Sequence, residues 1–139
     1  MNRSMAEIIR NQKPVCLGPG NSLHEACDAM HQHRIGAILV TDPSGLLVGI
    51  FTGRDAVRCI AHHLDPVGTK LDAIMTRNPD SMPPGSTAIE ALRLMRDGGF
   101  RHVPVTENGR PVGIVSRGDF RGLEHDRLDV ETGLWERIG

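Results

Sequence analysis

Apolar positions along the chain follow two alternating rhythms. Leu23, Ala26, Cys27 and Met30 fall at i, i+3, i+4 and i+7, and Ala88, Ala91, Leu92 and Met95 have similar spacing. Both stretches predict helices with one buried face. Ser22-Leu23-His24-Glu25 and Thr87-Ala88-Ile89-Glu90 open them with a hydroxyl at the N-cap and Glu at N3, the pattern of a capping box. Gly98-Gly99 predicts the end of the second helix. The rhythm then shortens. Ala37–Val40, Leu46–Phe51, His102–Thr106 and Pro111–Val115 predict strands joined as two hairpins. Asn108-Gly109 suits a type I′ turn, and Asp42-Pro43-Ser44-Gly45 a type I turn. Further helices are predicted to start at Thr52 and Ser116, and Ser4-x-x-Glu7 and Thr69-x-x-Asp72 predict two capped lead-ins. Near the end, Val130, Leu134 and Ile138, with Trp135 beside them, predict a helix over Thr132–Ile138 that docks on this module or on a partner copy, the alternative being a separate signalling surface.

These elements are two copies of one unit. With a shift of 65, Pro14 falls on Pro79, Pro19-Gly20 on Pro84-Gly85 and Glu25-Ala26 on Glu90-Ala91. Ile9 falls on Ile74, Met30 on Met95 and Val40-Thr41 on Val105-Thr106. After the first hairpin turn the shift becomes 64: Val48-Gly49-Ile50 meets Val112-Gly113-Ile114, and Asp55 meets Asp119. The slip is the difference in length between the two turns. The expected organisation is repeat 1 over 1–64, a linker over 65–68, repeat 2 over 69–124 and a tail over 125–139. The fold class is mixed α/β (α+β). Each small sheet leaves an apolar face uncovered, which predicts sheet-to-sheet packing about a pseudo-twofold axis.

Composition narrows the function. Sixteen basic and seventeen acidic residues, with 39% apolar residues, describe a globular chain with no field to draw it to nucleic acid or to a membrane surface. Aromatic residues for base stacking are few. No segment reaches the roughly 18 apolar residues of a membrane span, and no signal core opens the chain. Cys16, Cys27 and Cys59 are odd in number and far apart, which points to a reducing, cytoplasmic compartment. His31-x-His33 and His62-His63 are helical neighbours that point to different faces, so the expectation is solvated helix surface and no metal.

Two segments carry candidate chemistry: Gly49-Ile50-Phe51-Thr52-Gly53-Arg54-Asp55 and Gly113-Ile114-Val115-Ser116-Arg117-Gly118-Asp119. Each sets a hydroxyl where a strand becomes a helix, a carboxylate three residues later and an Arg between them. As structure this is another capping box. As chemistry, a helix start offers N–H groups to a phosphate, hydroxyl and Arg add donors, and the carboxylate accepts from a ribose diol. No nucleophile–base pair, metal set or Walker-type loop accompanies it, so no catalysis is expected.

Strand–hairpin–helix repeats ending in Gly-h-h-[Ser/Thr]-x-x-Asp resemble cystathionine-β-synthase (CBS) domains. So do Arg101-His102-Val103-Pro104-Val105-Thr106 and Ile74-Met75-Thr76-Arg77-Asn78-Pro79, and the whole is similar to a stand-alone bacterial CBS pair. The resemblance covers roughly residues 4–124. It implies two clefts that take AMP, ADP or ATP, or less readily S-adenosylmethionine or NAD-type dinucleotides. By position, Asp55 and Asp119 would hold ribose hydroxyls. Thr52, Arg54, Ser116, Arg117, Arg101 and His102 would line the ribose and phosphate side, and Ile50, Val103, Pro104 and Ile114 the adenine. The copies differ, Gly36 standing where the second has Arg101 and Leu39 where it has Pro104, so unequal phosphate capture follows. The expected function is a regulatory nucleotide sensor, a homodimer acting on an unidentified protein partner. The alternative is a ligand-free oligomerisation scaffold.

Overall fold

The computed structural model describes residues 3–120. The expected tail helix over Thr132–Ile138 lies outside them. In chain order the elements are α1 (Met5–Ile8), β1 (Cys16–Leu17), α2 (Leu23–His33), β2 (Ala37–Thr41), β3 (Leu47–Thr52) and α3 (Gly53–Ala61). There follow α4 (Leu71–Ile74), β4 (Thr76–Arg77), α5 (Ala88–Gly98), β5 (His102–Glu107), β6 (Arg110–Ser116) and a 3-10 turn at Arg117–Asp119. The class is α+β, as the patterning implies.

Local signals act where the sequence puts them. Ser22 and Thr87 accept the N3 amide at 3.1 and 3.3 Å, and Glu25 and Glu90 reach back to the cap amide. Ser4 caps α1 in the same way. Asn108 and Gly109 have φ of 51° and 79°, as a type I′ turn requires. Gly45 N–H donates to Asp42 O at 2.9 Å and closes the other turn. α5 ends on Gly99 at φ 72°, whereas α2 ends on Arg34 at φ 55°, a left-handed position filled without glycine.

The chain divides into two compact units, and these cross the repeat boundaries. Among the described residues, one unit contains 3–12, 81–107 and 112–120; the other contains 13–80 and the hairpin tip 108–111. Each therefore takes its lead-in from the other repeat. In the second unit the sheet runs β1-β2-β3-β4, with β1 parallel to β2 and the remaining pairs antiparallel. Its core gathers Leu23, Met30, Ile38, Val40 and Phe51 with Leu71 and Met75 of the lead-in. In the first unit β5 and β6 pair, Met82 bridges to Val105, and Met5 and Ile9 join Ile89, Leu92, Met95, Val103, Val105 and Val115. Fully burying such a side chain is worth about 1.5–3 kcal/mol, so the lead-ins are integral to both cores.

The lead-ins also correct the repeat alignment by one residue. Met5 N–H donates to Ser86 O and Leu71 N–H to Asn21 O, which makes Met5 equivalent to Leu71. Ile9 then corresponds to Met75 and not to Ile74. The expected cap at Thr69 does not form. Lys70 takes the N-cap position with no side-chain bond, while Thr69 spends its amide on Asp65 O and its carbonyl on Leu23 N–H.

Candidate functional site

The first motif lies where β3 runs into α3. Thr52 is extended, at φ −117°, and its hydroxyl accepts Asp55 N–H at 3.3 Å. Asp55 answers through Oδ2, which accepts Thr52 N–H at 2.9 Å and the Thr52 hydroxyl at 3.1 Å. Its Oδ1 takes the Arg58 guanidinium at 3.3 Å. Both oxygens are engaged within the chain, and the residue is only 7% exposed. Arg54, the expected neighbour, is exposed; Arg58 is the partner. The sequence reading missed Arg58, although three-residue spacing on a helix was a signal for it. Ile50 is buried on β3, paired across the ladder with Leu39.

The second motif lies where β6 ends. Asp119 Oδ2 accepts Ser116 N–H at 2.7 Å and its hydroxyl at 3.2 Å. The expected helix from Ser116 is, as far as residue 120, a single 3-10 turn. Within the described residues a helix start with its dipole is thus present at the first motif only. Arg117 N–H donates to Arg101 O at 2.9 Å, and the Arg3 guanidinium donates to Asp119 O at 2.9 Å. Asp119 is exposed, and no described residue donates to its Oδ1. Among the described residues, this carboxylate keeps an open acceptor where Asp55 has none.

Strand alternation sorts the remaining residues. Val103 and Val105 point into the core under α5, and Val103 is fully buried. Its side chain therefore packs in the core, on the strand face away from His102 and Pro104. His102 and Pro104 take the opposite strand face. So does Ile114, half-buried on β6, by correspondence with the Leu39–Ile50 pair of the first hairpin. Burial pushes the half-buried His102 ring below the ordinary histidine range. The Asp119 carboxylate works against that shift and Arg101 adds to it. Arg101, His102, Ser116, Arg117 and Asp119 are thus gathered in one unit, with Arg3 from the lead-in as an addition that spacing did not reveal.

Chemically, the second turn offers an open carboxylate acceptor beside cationic donors, and the first a closed cap. Among the described residues no group of His, Cys, Asp and Glu could hold a metal ion, and no helix is long and apolar enough to cross a membrane. The three cysteines are free thiols, raised in pKa by burial.

The CBS domain family model matches residues 5–62 and again 71–126. The CBS domain-containing protein CBSCBSPB2 of Arabidopsis thaliana is 43% identical over 108 residues, 77% of this chain and 20% of that protein. The chain thus spans about a fifth of the length of this relative. Among solved structures, the CBS-domain containing protein ATU1752 from Agrobacterium tumefaciens has a TM-score of 0.76 at 38% identity, covering 84% of this chain and 89% of its own. The CBS domain pair of protein MJ0100, in complex with 5′-methylthioadenosine and S-adenosyl-L-methionine, has a TM-score of 0.77 at 26% identity, covering 84% and 95%. With one family model matching both halves and the repeats folded into helices and hairpins of one kind, the chain belongs to the CBS domain family as a tandem pair.

Proposed function

We propose that this CBS pair is a regulatory module that binds an adenine nucleotide of the AMP, ADP or ATP class and signals by a change of conformation or partner affinity. The observation that carries this reading is the open Oδ1 of Asp119 beside Arg101 and His102: an acceptor for a ribose diol next to donors for phosphate. The ligands of MJ0100 support it, since both are adenosine derivatives with that diol. Asp119 is the ribose acceptor in this reading, and Asp55, committed to Thr52 and Arg58, contributes mainly to stability. The module works by binding and not by turnover. It pairs with a second copy, in keeping with Val57 and Ile60 exposed one turn apart on α3.

Calorimetric titration with AMP, ATP and a 2′,3′-dideoxy analogue tests this. Asp119→Asn and the dideoxy analogue should each weaken binding by roughly 10- to 100-fold, with non-additive costs, because both remove the same charge-assisted hydrogen bonds. Absence of binding at millimolar nucleotide would leave the oligomerisation scaffold as the function. The complex of MJ0100 favours one second reading, a ligand of the S-adenosylmethionine kind. Arg101→Ala separates the two: it should weaken ATP more than 5′-methylthioadenosine, with the gap closing in high salt.

A further inference from the structure

His102 occupies a position that couples the second motif to protons. In the first hairpin Gly53 N–H donates to Gly36 O beside the Ala37–Thr52 pair. In the second hairpin Arg117 N–H donates to Arg101 O, the same bond at the same place in the repeat. By that correspondence His102 stands across the strands from Ser116, where the first copy has Ala37. The two motifs therefore differ by an imidazole at the mouth of the turn. We propose that His102 makes phosphate capture at the second motif proton-linked: the ring takes up a proton when a phosphorylated ligand binds beside it. The proposal rests on the nucleotide reading above and adds a regulation to it.

The surroundings define the balance. Among the described residues, the charges bearing on the ring are Asp119 from the turn and Arg101 from its own strand end, and burial outweighs the pull of the carboxylate and lowers the ring's proton affinity. Arg117 and Arg3 flank the same turn, and α5, with Glu90, Arg93, Arg96 and Asp97, packs on the other strand face against Val103 and Val105. A bound phosphate adds up to two negative charges to this set, which favours imidazolium. A ribose diol on Asp119 adds no charge. Proton uptake should therefore follow the phosphate and not the adenosine.

The test is calorimetry on the full chain with AMP and with adenosine between about pH 5.5 and 8, where histidine titrates, in buffers of different ionisation enthalpy. The ionisation of AMP itself is common to wild type and His102→Gln and cancels between them. Wild type should take up about one proton more than the variant on binding AMP, and its affinity should gain up to about tenfold per unit fall in pH. Adenosine should show no difference. In wild-type protein, the NMR titration midpoint of the His102 ring should rise when AMP is added, which tests the idea without a variant. Equal proton counts in the two proteins, or an unmoved ring midpoint, would overturn the proposal while leaving nucleotide binding intact. No AMP binding at any pH would overturn both.

Discussion

Asp55 and Asp119 stand at the same place in the repeat under different burdens. Asp55 joins Thr52 to Arg58 through its carboxylate and is buried; among the described residues the Asp119 carboxylate bonds Ser116 alone, its backbone carbonyl accepts from Arg3, and the residue is exposed. Asp55→Asn should lower unfolding free energy by about 1–3 kcal/mol, the range for charge-assisted bonds at a buried group, with little effect on ligand affinity. Asp119→Asn should do the reverse. Denaturant midpoints beside titrations check both, and equal stability losses would refute the division. His102 contributes a pH dependence in the histidine range. Its folded pKa lies below the ordinary value of about 6.5, so between the two values the unfolded chain binds more protons than the folded one. Its contribution to stability is full above the ordinary value and is lost as pH falls through the folded one. Urea midpoints should fall less over that interval in His102→Gln than in wild type. The doubled motif was plain in the sequence. Arg58 and the inward turn of Val103 were not, because one depends on a helix face and the other on strand register.

At the scale of elements, α2 and α5 are near-copies whose ends differ. Gly99 suits its left-handed conformation, whereas Arg34 holds φ 55° with a side chain attached. A left-handed position costs an L residue roughly 1–2 kcal/mol, so Arg34→Gly should raise stability by some part of that, visible as a higher melting temperature. The repeated Gly of the Val-Gly-Ile strands has another cause. A Cβ on Gly113 would come within 2.7 Å of Ile9, and one on Gly49 would strike Met75. Gly113→Ala should cost about 1–3 kcal/mol by overpacking, and an unchanged denaturant midpoint would show that Ile9 can yield. Caps, hairpins and helices were legible because their signals are local. The reason for these glycines was not, since Ile9 lies some hundred positions away along the chain.

Across the whole molecule, the duplicated sequence and the duplicated cores do not share boundaries. Residues 3–12 complete the unit built mainly from repeat 2, and 71–80 the unit built mainly from repeat 1. Residues 1–66 alone lack Leu71 and Met75 and carry Met5 and Ile9 without their core. That fragment should show no cooperative unfolding as a monomer, and a sharp transition at monomeric mass would refute this. Sequence identity located the two copies but was silent on the exchange, which is written only in long-range contacts. The exchange has a further consequence for a chain cut once within 62–68. Each piece would then hold the segment the other needs, so the nicked halves should reassociate by fragment complementation, and proteolysis at the linker would leave a working pair and not two loose domains.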